Sequence, residues 1–133
     1  MPKIKHIAIV TMDPEKLAQF YCDVFEMKVV ERNGRGNVFL TDGYINLAIL
    51  RNKAEGKPNG INHIGFHVED PDAVEKRLKS WPVYGPAERP EDRAYAEVRA
   101  TDPDGNNIDL SEHGFDRAEP NSERKAKKLA QVS

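Results

Sequence analysis

Two histidines stand in nearly the same sequence context. His6 lies in "IKHIAIVTMDP" (Ile4 to Pro14) and His63 in "INHIGFHVEDP" (Ile61 to Pro71). Ile, His, Ile, Asp and Pro recur in the same order and at the same spacing. Two later stretches, "TDGYINLAIL" (Thr41 to Leu50) and "PDGNNIDLSE" (Pro103 to Glu112), also resemble each other and bring Asn46 and Asp109 to matching places. Side chains of a strand alternate between its two faces. Read that way, His6, Asn46, His63 and Asp109 all lie opposite their strands' apolar faces. If the two halves share one curved sheet, the four can converge. Two imidazoles and one carboxylate offer a divalent cation nitrogen and oxygen donors and leave positions open for substrate or water. Such a set suits iron(II), and zinc, manganese or nickel accept it.

The elements that position these residues follow from the duplication, since internal repeats govern the architecture of a chain. Each half reads as strand, helix, then strands. In the first, Lys3 to Thr11 is a β-branched alternating strand. Asp13 is a helix N-cap with Pro14 at the first helical position. Leu17, Phe20, Tyr21 and Val24 then recur at helical spacing. Met27 to Glu31, Asn37 to Leu40 and Ile45 to Leu50 read as strands, joined by the turns "NGRG" and "DG". In the second half Ile61 to Val68 is a strand, and Asp70 and Pro71 open a helix running to about Ser80. Strands follow near Val83 to Gly85, over Ala94 to Thr101 and over Ile108 to Ser111. The organisation is a first module over 1–53, a polar linker over 54–60, a second module over 61–113 and a charged tail over 114–133.

The same alternation sorts the remaining candidates. Ile7 and Ile9, Ile64, Phe66 and Val68, and Ile108 and Leu110 face the helices. Tyr95, Glu97 and Arg99 share the histidine side, so Glu97 is a candidate base, with Tyr95 and Arg99 as substrate contacts. His67 is on the face of His63, but about 13 Å along the strand at roughly 3.3 Å per residue. That is too far to share a metal, and it reads as a substrate contact. Phe39 and Asn46 are further candidates to line the pocket. Against each stands a plainer role: a sheet histidine, a surface ion pair, a turn-capping carboxylate.

Composition limits the partners. The chain has 133 residues, 32% of them charged, and a formal net charge of −2. No global basic field is available for nucleic acid or anionic lipid. Cys22 is the single cysteine, so an internal disulfide is excluded and a reducing cytoplasm is compatible. No window has the length of a membrane span, and the start lacks the pattern of a signal peptide.

The stretches "KHIAIVTMDPEKLAQFYCDVFEMKVVER", "INHIGFHVEDPDAVEKRL" and "DPDGNNIDL" resemble the vicinal oxygen chelate superfamily, which includes glyoxalase I, bleomycin-resistance proteins, methylmalonyl-CoA epimerase and extradiol dioxygenases. The resemblance runs from about Lys3 to Glu112. It implies an α+β fold of two paired βαβββ modules, forming a cupped mixed β-sheet with helices on the convex face. It also implies metal ligation by His6, His63 and Asp109, and a homodimer. Three positions depart from the pattern. Asp109 stands where the family usually has a longer glutamate. Asn46 replaces a charged or stronger fourth ligand. Glu26 replaces the glycine that commonly ends the first helix.

Two functions are compatible with this reading. One is a divalent-metal-dependent enzyme acting on a small substrate held through adjacent oxygens, by isomerisation, epimerisation or oxidative cleavage. The other is a bleomycin-resistance-like protein that sequesters a small molecule without chemistry.

Overall fold

A computed structural model describes residues 1–53, 58–90 and 96–115. Residues 54–57 of the linker, residues 91–95 with Tyr95 and the start of the expected strand at Ala94, and residues 116–133 of the tail lie outside the described residues.

Asp-Pro opens both helices, as the repeat requires. Helix α1 spans Pro14–Phe25, and the side chain of Asp13 accepts a hydrogen bond from Lys16 N at 3.1 Å. Helix α2 spans Pro71–Leu78, and Asp70 accepts from Ala73 N at 3.2 Å. Each cap satisfies an amide that the first helical turn leaves without a partner. Around the helices run β1 (Lys3–Thr11), β2 (Lys28–Arg32), β3 (Val38–Thr41), β4 (Asn46–Arg51), β5 (Gly60–His67), β6 (Ala87–Glu88), β7 (Val98–Thr101) and β8 (Asn107–Ser111). They form an open, mixed, eight-stranded sheet in the order β2-β3-β4-β1-β5-β8-β7-β6. The fold is α+β, consistent with two βαβββ modules.

The chain divides into two units, Lys5–Ile64 and Met1–Ile4 with Gly65–Ser133. In the first, β1 pairs with β4 in parallel, and β3 lies antiparallel between β4 and β2. Ala18, Val38, Leu40, Leu47 and Ile49 form its core, with Ile7, Ile9, Leu17, Tyr21, Cys22 and Met27 packed around them. The helix face that reaches this core is therefore Leu17, Ala18, Tyr21 and Cys22. Phe20 and Val24, which share the helical spacing, point outward and are about half exposed.

Helix α1 ends at Glu26, which takes the left-handed conformation at φ 58°. The glycine-type cap is retained without glycine. The side chain carries the steric cost that glycine avoids.

In the second unit, β7 lies antiparallel to both β6 and β8. Helix α2 has no fully buried residue. Phe66, Val68, Val74, Leu78, Ala100, Ile108 and Leu110 line an apolar recess of about 190 Å³ in this unit. The sequence places a strand near Val83 to Gly85, and the structure does not. The chain passes Gly85 at φ 93° and pairs only at Ala87 and Glu88, opposite Arg99 and Val98. A Cβ on Gly85 would stand 2.7 Å from the Arg99 carbonyl oxygen. Side-chain-free, left-handed backbone is what lets this loop lie against β7. The folded part also reaches past Ser111: Phe115 is buried, and Ser111 Oγ donates to the Gly114 carbonyl at 3.0 Å.

Candidate metal centre

The first unit brings His6 and His63 together. Their Nε2 atoms are 3.1 Å apart, and both residues are buried. Register explains the support of the first ring: His6 pairs directly with Asn46 across the parallel β1–β4 ladder. Asn46 Oδ1 lies 2.8 Å from His6 Nδ1. The second ring is supported by its own neighbour, with Asn62 Oδ1 2.7 Å from His63 Nδ1. With the amides in this orientation each Oδ1 accepts from an Nδ1–H. Both Nε2 atoms then present lone pairs to each other. Two lone pairs at this distance repel unless a proton or a cation sits between them. Bonds of roughly 2.0–2.1 Å from histidine nitrogens to one ion place adjacent ligands roughly 3 Å apart, so the imidazole pair fits a metal. Phe39 is buried in the same unit, on the face of Ala48 and Asn46.

Asp109 is buried on β8 in the second unit. It pairs with Arg99 of β7 across the ladder. Arg99 donates from Nε to Oδ1 at 2.7 Å and from Nη2 to Oδ2 at 3.3 Å. Arg89 donates from Nη1 to Oδ2 at 3.0 Å. Burial lowers the pKa of Arg89 from the usual arginine value, and the charge of Arg99 adds to this while Asp109 opposes it. Three charge-assisted hydrogen bonds on one carboxylate make a strong clamp.

The other candidates are placed as follows. A Glu97 carboxylate oxygen lies 3.6 Å from His113 Nε2, and the side chain is mostly buried. His67 Nε2 is 3.1 Å from the Glu112 carbonyl oxygen. Tyr95 lies outside the described residues. Sequence reading missed Asn62 and Arg89. Strand alternation places Asn62 on the face opposite His63, and Arg89 stands in a stretch with no periodic signal.

A profile of the glyoxalase/bleomycin resistance protein/dioxygenase superfamily matches residues 3–110. The chain belongs to this superfamily. No curated protein matches the sequence. Among solved structures, this superfamily member is similar to methylmalonyl-CoA epimerase from Mycobacterium tuberculosis. The two are 21% identical, with 80% of this chain and 85% of the other covered and a TM-score of 0.60. A methylmalonyl-CoA epimerase in complex with methylmalonyl-CoA and NH4+ is 20% identical, covering 88% and 99%, also at 0.60. A superfamily member from Vibrio splendidus 12B01 is 16% identical, covering 83% and 97%, at 0.58. At these identities the likeness is one of fold.

Proposed function

We propose that the protein is a divalent-metal-dependent enzyme acting on a small substrate that chelates the ion through adjacent oxygens, by isomerisation, epimerisation or oxidative cleavage. The observation that carries this reading is the buried imidazole pair within one unit, His6 Nε2 and His63 Nε2 3.1 Å apart, a spacing that suits two ligands of one ion. The metal would supply Lewis acidity to a developing oxyanion. The chain's own contributions are those of its side chains. His6 and His63 offer Nε2, Asn46 and Asn62 fix the rings from behind, and Asp109 brings negative charge. Glu97 is the base of this proposal, with His67, Tyr95, Arg99, Phe39 and Asn46 as substrate contacts.

Elemental analysis of protein purified without chelator tests this. Stoichiometric iron, manganese, zinc or nickel is expected in the wild type, with loss in His6→Ala and His63→Ala. Metal content that is negligible, or that the two substitutions leave unchanged, overturns it.

The clamp on Asp109 favours a second reading, in which the protein binds a small molecule in the manner of bleomycin-resistance proteins, without metal or turnover. A carboxylate held by two guanidiniums has less electron density to offer a cation. Ligand binding that chelator leaves undiminished would select this reading.

In either case we propose a homodimer. Phe20, Val24 and Phe25 of α1 and Val29 and Val30 of the edge strand β2 are exposed in one unit, and both features are commonly covered by a second chain. A single-chain mass by light scattering at micromolar concentration overturns this.

A further inference from the structure

We infer that Arg89 and Arg99, pinned by Asp109, form a binding site for a carboxylate group of a small-molecule ligand. Three observations within one unit carry it. First, the two guanidiniums converge on a single carboxylate. Among the described residues two guanidiniums thus share this one carboxylate. Second, the carboxylate of the cluster is shut off from water while the arginines are partly buried. The side chain of Asp109 is 3% exposed, that of Arg89 18% and that of Arg99 29%. Charge in such a place is costly without a counter-ion. Glu97, two residues before Arg99, lies beside His113. Third, the arginines retain binding capacity. Each guanidinium has more N–H donors than it gives to Asp109, and among the described residues Asp109 is the only side-chain partner of either.

The chemistry selects the ligand class. A carboxylate ligand would set a second negative charge beside the two guanidiniums. The planar fork of arginine matches a carboxylate in two-point contact. The partial exposure of both side chains leaves a way in, whereas Asp109 is closed off and serves to hold the guanidiniums in place.

The inference shares Asp109 and Arg99 with the proposed function, and its test is run on the full chain stripped with chelator so that the two can fail separately. Failure there leaves the metal proposal standing, and the reverse also holds. Propionate and its neutral isostere propionamide are titrated by calorimetry and by thermal shift at fixed ionic strength. Propionate is expected to bind and to raise the melting temperature, and propionamide to do neither. Arg89→Gln and Arg99→Gln should each weaken propionate binding about tenfold, the scale of one charge-assisted bond. Equal binding of propionate and propionamide by the wild type overturns the inference whether or not the variants fold. So does unchanged affinity in a folded Arg89→Gln.

Discussion

His6 and His63 meet through their Nε2 atoms at 3.1 Å, and each ring is held from behind by an asparagine oxygen. The duplication supplies the two histidines, but not the two supports. Asn46 comes from the strand paired with His6. Asn62 is the residue next to His63 and is exposed. The two rings therefore differ in how firmly they are fixed, although their sequence contexts are nearly the same.

That difference predicts an unequal response to truncation. Asn46→Ala removes a buried acceptor that water cannot easily replace, and should weaken zinc binding about 10–100-fold, the usual effect of losing a group that orients a ligating histidine. Asn62→Ala opens its site to solvent and should cost much less. Competition against a chromophoric chelator measures both. Equal losses would show that the supports do not orient the rings as the geometry requires.

Much of this could be read from the chain, and the reasons differ by residue. The helix starts were legible because Asp13-Pro14 and Asp70-Pro71 are local signals that need no tertiary context. The histidine pair was legible because duplication set His6 beside its copy. Phe20 and Val24 misled because helical spacing defines a stripe but not which edge of the stripe meets the sheet. In the fold Leu17 and Tyr21 take that place. Arg89 was hidden for a different reason. It follows a two-residue strand in an aperiodic stretch, and its partner Asp109 is 20 residues away. Only the packing of that stretch on β7 reveals the clamp.

Glu26 ends α1 at φ 58° where most helices of this kind use glycine. Left-handed backbone costs a non-glycine residue roughly 1–2 kcal/mol, while glycine has more unfolded freedom to lose. Glu26→Gly should therefore be stabilising, by about 0.5–1 kcal/mol after these opposing effects. Urea unfolding at neutral pH measures it. A destabilised variant would mean that the glutamate side chain makes up for its own strain.

Gly85 lies directly against the backbone of Arg99 and Ala100. Its φ is 93°, and an added Cβ would lie 2.7 Å from the Arg99 carbonyl oxygen and 2.9 Å from Ala100 Cα, both backbone atoms that cannot swing away. Gly85→Ala should cost more than the roughly 1–2 kcal/mol of left-handed backbone alone. It should also shift β6 from β7 and so loosen Arg89 from Asp109. Urea unfolding reads the first effect and propionate titration the second. Wild-type stability in Gly85→Ala would contradict the close approach.

Acid should act through two turns. Asp42 Oδ1 accepts from the backbone amides of Tyr44 and Ile45, each at 2.8 Å. The Ile45 amide first, then that of Tyr44, holds this carboxyl below the usual aspartate range. Asp102 is held low in the same way by Asn106, through its side chain and then its amide. A carboxyl whose folded pKa is depressed contributes stability that is present above its unfolded pKa of about 3.9. That stability is lost as pH falls through the folded value. Stability should thus be level above about pH 5 and decline below about pH 4. Asp42→Asn with Asp102→Asn should flatten the decline, and an unchanged slope in the double variant would refute the assignment. Asp42 closes the turn that leads directly into Asn46, so protonation there loosens the strand end that holds His6.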